Sequence, residues 1–217
     1  MLISYLTGLS VTGRVGLRSL LALFAISLYV NSKQSLTLWI RSKEPGPQKS
    51  MILFIAQTTF ATALLTYLMS GAVLKFLPYA IVPLAYIFLI RTAGEHAMIS
   101  EISGFILLSF SAVIAKFIVT GVVDPRLYVA VAVFFTAGVF KVRLQLKKRT
   151  LERVFLGLYV FFALIIYHIA RVPFLVLLPL LDDVIFAVSL YRVKLRAMGW
   201  IEVLKGIGFL VFMSFVY

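Results

Sequence analysis

The sequence predicts an all-α protein, a polytopic bundle of transmembrane helices forming one integral membrane domain over residues 1–217. Three observations carry that prediction. First, 62% of the residues are hydrophobic and only 13% charged, with a mean hydropathy of +1.06, whereas a soluble domain is about half apolar and a quarter charged. Second, the apolar residues fall in long runs, and a run of about 20 is what a helix needs to cross hydrocarbon. Third, the runs show no period-two alternation. Backbone polar groups in lipid must be satisfied internally, so helices follow rather than barrel strands. The same composition excludes a soluble globule, a disordered chain, a collagen-like repeat and a disulfide scaffold, since 13 Gly, 7 Pro and no Cys match none of them.

Taken in order, residues 1–11 are apolar but too short to cross, and form a partial helix 1: either a surface turn or the tail of a helix whose start is missing. With no basic n-region and no evident cleavage site, they do not read as a signal peptide. Helices 2 to 9 are expected over residues 15–30, 51–74, 77–90, 99–122, 127–140, 151–170, 172–191 and 200–217, each a run between charged or Pro-rich breaks. Residues 77–90 and 127–140 are short, but flanking Phe76, Arg91, Arg126 and Lys141 can reach the interface by snorkelling. The expectation is eight spans plus an N-terminal partial helix.

Lys and Arg in the loops predict orientation. Loop 2-3 carries Lys33, Arg41, Lys43 and Lys49, loop 4-5 carries Arg91, and loop 8-9 carries Arg192, Lys194 and Arg196. Loop 6-7 is the most basic, with Lys141, Arg143, Lys147, Lys148, Arg149 and Arg153. The opposite loops hold only Arg14, Arg18, Lys75, Arg126 and Arg171. Loops 2-3, 4-5, 6-7 and 8-9 are therefore expected in the cytoplasm of a cell-membrane protein, with Tyr217 outside. This distribution also accounts for the net charge of +13 without a nucleic-acid partner. The expected partners are membrane lipids, with Arg41, Lys147, Lys148 and Arg149 as candidate anion or headgroup contacts.

Charges within spans cost roughly 2.5 to 3.5 kcal/mol each on the insertion scale, so each needs a reason. Asp182 and Asp183 fall in the middle of the run 172–191, loosened by Pro173 and Pro179. Glu202 and Lys205 are three apart and share a helix face. Asp183 and Lys205 lie at about 12 Å and 7.5 Å from the same surface, by helix rise, so an interhelical pair is expected. Asp182 has no evident cationic partner on its face and is the better functional candidate of the two. A second candidate site is Glu95, His96 and Glu101, where proton chemistry competes with simple placement of acids at a helix N-terminus. No metal-ligand spacing, phosphate loop, nucleophile elbow or dinucleotide fingerprint is present. No metal site, cofactor or catalytic residue is assigned.

Residues 20–40, the stretch Glu95-His96-Ala97-Met98-Ile99-Ser100-Glu101-Ile102, the later Val119-Thr120-Gly121, and the ending Gly199-Trp200-Ile201-Glu202-Val203 resemble the YwiC-like membrane proteins, an uncharacterised family. The likeness covers nearly the whole chain. Family members carry a His-Gly-Ala-Trp segment before the point at which Met1-Leu2-Ile3 begins, so a misplaced start or truncated chain is expected. A weaker resemblance is to UbiA-type intramembrane prenyltransferases, carried by the nine-helix layout, the Glu101 helix, Val119-Thr120-Gly121 and Lys148-Arg149-Thr150-Leu151. Those enzymes hold Mg²⁺ and a prenyl diphosphate on Asp-rich loops, since hard cations demand oxygen ligands. This chain instead has Asn31-Ser32-Lys33-Gln34-Ser35, with no acid before Glu44, and places Val139 and Arg143 where acids would stand. The resemblance thus implies a UbiA-like plan without the Mg-diphosphate chemistry. The function expected is binding or handling of an amphiphilic, lipid-, quinone- or isoprenoid-like molecule between helices. The alternatives are a divergent prenyltransferase using the basic loop residues and a small solute or proton-coupled transporter using Asp182 and Asp183.

Overall fold

A computed structural model describes residues 1–41, 49–147, 150–189 and 194–217, with the side chains of Arg41 and Leu195 outside that description. Among the described residues the chain is helical, with no strand. In order come α1 (Leu2–Ser10), α2 (Leu17–Arg41), α3 (Lys49–Leu68), α4 (Ile81–Ala93), α5 (Met98–Thr120), α6 (Pro125–Lys147), α7 (Thr150–Ile169), α8 (Leu181–Ser189) and α9 (Leu195–Val216). Tighter 3₁₀ segments, Ala72–Ala80 and Phe174–Leu180, lead into α4 and α8. Each contains a proline, Pro78 or Pro179, which lacks the N–H that a regular α-turn would use. The chain reverses before the first of them at Ser70 and Gly71, both with positive φ (49° and 80°).

Among the described residues, six segments are long and apolar enough to cross a membrane: Lys49–Leu68, Ala72–Ala93, Met98–Thr120, Pro125–Lys147, Thr150–Ile169 and Arg196–Val216. Their outer faces carry exposed Leu53, Phe88, Phe161, Ile169 and Phe215, surface that lipid covers. Of the other two expected spans, α2 is long but carries Asn31, Ser32, Lys33 and Gln34 within its helix. The described part of the other covers only residues 174–189.

Two expectations are corrected. The second helix does not end at Val30 but runs to Arg41, which takes Lys33 out of a loop. The sixth does not end at Phe140 but runs to Lys147, so Lys141 and Arg143 are helical residues rather than members of loop 6-7. Helix hydrogen bonding is indifferent to a charged side chain that finds a partner, so charge marks a lipid boundary only when it is unpaired. Of the two readings of the N-terminal segment, the partial helix holds and the surface turn does not. It is a nine-residue helix packed between α5 and α9. Tyr5 is fully buried and donates from its hydroxyl to the Ser19 carbonyl at 2.5 Å. Gly8 lies so close to the Ala112 backbone that any Cβ there would overlap it.

Helices α5 and α6 form the central partition. α5 packs on α1, α2, α4 and α6, while α6 also meets α7, α8 and α9. Behind α6 the core is closed by Phe134 stacked on Phe209 at 4.0 Å between centroids, and by Tyr167, whose hydroxyl donates to the Ala130 carbonyl at 2.7 Å. Asp124 ties one end of the bundle together. Its Oδ1 accepts the backbone N–H of Arg126 and Leu127, capping α6, and its Oδ2 receives Lys116 Nζ at 2.5 Å and the Tyr217 hydroxyl at 2.7 Å.

Candidate functional site

Two polar constellations flank α6. Lys141 and Arg143 are two residues apart, about 200° around the helix, and so point to opposite sides. Lys141 faces α8 and α9; Arg143 faces α5.

On the α8–α9 side, Asp183 and Lys205 form the expected pair, at 2.5 Å, and Lys205 also reaches Glu202 at 3.0 Å. All four residues predicted for this site come together. The sequence reading missed Lys141, which is fully buried and bonds Asp182, while lying 3.4 Å from Asp183 and 3.0 Å from Glu202. Asp182 therefore has a cationic partner, contrary to expectation, supplied by a third helix. The usable signal was local: Ala137 and Gly138 precede Lys141 by about one turn, and small residues let helices approach. A Cβ at Gly138 would sit 3.3 Å from Glu202 Oε2. Lys141 also lies over the Phe186 ring at 5.6 Å.

The three carboxylates offer oxygens within 4.8 Å of one another, a spacing able to hold a cation. Two ammonium groups already occupy that space, and a divalent ion would have to displace both. One oxygen, Asp183 Oδ2, is buried without a hydrogen-bond partner.

On the α5 side, a cavity of about 660 Å³ lies among α2, α3, α4 and α5. Leu65, Met69, Phe76, Phe105 and Leu108 contribute to its apolar wall. Lys33, Tyr86, Glu95, Ser100 and Glu101 are also in its lining. Lys33 pairs with Glu95 at 3.3 Å. Arg143 donates from Nε to Glu101 at 2.8 Å and from Nη2 to the His96 carbonyl at 2.7 Å. The second predicted constellation is thus split by role: Glu95 and Glu101 line the cavity, while His96 contributes its backbone carbonyl to the Arg143 clamp.

Of the four basic headgroup candidates, the structure describes the side chain of Lys147. Lys147 pairs with Glu152 at 3.1 Å, whereas Lys148, Arg149 and the Arg41 side chain lie outside the described residues. Comparison of the chain with family models, with curated proteins and with solved structures finds no match.

Proposed function

We propose that this multi-pass membrane protein binds and handles an amphiphilic, lipid- or quinone-like molecule between its helices, without a Mg-diphosphate site. The observation that carries this reading is the cavity of about 660 Å³ among α2, α3, α4 and α5, apolar along its walls, with Lys33, Glu95 and Glu101 in its lining, Lys33 paired with Glu95 and Glu101 paired with Arg143 of α6. Its volume falls in the range of small-molecule sites, about 300–1,000 Å³. Two cations and two carboxylates balance, which favours a neutral hydrogen-bonding head over a diphosphate that would need a cationic excess. We place the chain in a UbiA-like plan of eight spans plus a partial helix, akin to the YwiC-like proteins, with the four basic loops cytoplasmic and Tyr217 outside.

The test is organic extraction of protein purified in mild detergent, followed by mass spectrometry. A single amphiphile class should be retained in near-stoichiometric amount, and Ser111→Phe should reduce it at least tenfold, because Ser111 lines the cavity and its hydroxyl has no hydrogen-bond partner to lose. Protein that carries no such molecule, or Ser111→Phe that retains it fully, refutes the reading.

A further inference from the structure

The cavity among α2, α3, α4 and α5 is uneven in its chemistry and narrow for its length. Its charged lining residues, Lys33, Glu95 and Glu101, sit together at the end where α5 begins, with Ser100 and Tyr86 beside them. Beyond that end the wall changes. The next lining residues along α5 are Gly104, Phe105, Leu107 and Leu108, and the lining hydroxyls of Thr58 and Thr62 on α3 already donate to carbonyls of their own helix. Glu101 and Ile114, both in the lining, are about 20 Å apart along α5 by helix rise. Spread over that length, about 660 Å³ leaves a mean cross-section of about 33 Å², and a hydrocarbon chain in van der Waals contact fills roughly 20 Å². One chain fits, and two side by side do not. The far end is closed by rings. Phe76 and Phe110 line it, edge-on to each other at 5.5 Å, and each is backed: Phe76 by Phe117 at 4.9 Å, Phe110 by Tyr79 at 5.2 Å and Tyr128 at 5.6 Å. Rings held from several sides do not step aside for a chain end.

Resting on the reading that this cavity holds an amphiphile, we propose that the occupant carries a single hydrocarbon chain, and that Phe76 and Phe110 set the chain length it accepts. The head lies against Lys33, Ser100 and Glu101, which offer both donors and acceptors. The chain runs along α5 to the two rings. A depth of about 20 Å matches one leaflet with its interface, half of the roughly 40–45 Å of a whole bilayer. Lipid tails are as apolar as the cavity wall, so burial alone gives no preference between chains. Preference comes from filling. A short chain leaves a void whose lining loses its contacts, and a long one meets the rings and lifts its head off the charged end.

The full chain in lipid nanodiscs is loaded with an equimolar mixture of saturated monoacylglycerols, from lauroyl to behenoyl, together with dipalmitoylglycerol. It is then transferred to mild detergent and extracted for mass spectrometry. The recovered homologues should peak at one chain length, with dipalmitoylglycerol about tenfold or more below the peak. Phe110→Ala removes the depth of one ring and should move the peak up by about two to four carbons. Val73→Trp adds bulk to the lining in the same segment as Phe76 and should move it down. Thermal unfolding shows whether each variant folds, and Val73→Trp carries the test if Phe110→Ala does not. A flat length profile, a peak that neither variant moves, or dipalmitoylglycerol recovered as well as the best homologue overturns the single-chain slot and leaves the amphiphile reading standing. Recovery of no amphiphile at all, added or endogenous, overturns that reading and this proposal with it.

Discussion

Lys205 sits between Asp183 and Glu202, and among the described residues only Lys141 besides it pairs with them. Lys205→Met is expected to lower stability by about 3–5 kcal/mol, the usual cost of breaking a buried pair from one side. Asp183→Asn should cost much less, because Lys205 keeps Glu202, and adding it to Lys205→Met should recover much of the loss. Thermal unfolding of the two single variants and the double variant decides this, and additive losses would contradict it. Asp124 provides a pH test at the other end of the bundle. Burial opposes its charge, but hydrogen bonds from Lys116, Tyr217 and the Leu127 N–H outweigh that and hold its pKa below the ordinary 3.8. A depressed carboxyl stabilises the fold above its unfolded pKa and ceases to do so as pH falls through the folded value. Asp124→Asn should therefore destabilise by about 1–3 kcal/mol at neutral pH, with the difference from wild type shrinking below about pH 3.8 in pH-dependent melting curves. The pair Asp183–Lys205 was legible from helix rise alone. Asp124 was not, because its partners lie on α5 and at the far end of the chain.

At the scale of elements, α6 supplies one cation to each of two sites through residues two apart. Arg143 is the one that organises the α5 side, joining Glu101 to the backbone at His96. Arg143→Met should free Glu101, weaken retention of the cavity's amphiphile several-fold, and cost about 1–3 kcal/mol, read by ligand extraction and thermal unfolding in parallel. An unchanged ligand content would show that Glu101 needs no clamp. Helix interiors were legible from hydropathy, since lipid selects apolar residues whatever they touch. Helix ends were less so. Both α2 and α6 extend past their last apolar run, because Lys33 and Lys141 meet carboxylates on other elements, and a partner contributed by another helix leaves no mark in a local hydropathy window.

For the molecule as a whole, the cavity was beyond the reach of sequence reading, as its lining is assembled from four helices and the segment before α4. The proposed orientation is open to a direct measurement, because the chain has no cysteine. Single cysteines at Gly46 and Arg149 should react with an impermeant maleimide only after permeabilisation, and one at Tyr217 on intact cells; the reverse pattern would invert the topology. The placement of α1 has a consequence for how the molecule is made. Its buried face is shared between α5 and α9, with Ile3 set against Gly206, so α1 completes its packing only against a helix made much later than itself. Until α9 leaves the ribosome, α1 has half of its seat, and the bundle cannot lock progressively from one end. The seating of α1 is thus a late closure, tied to the arrival of α9.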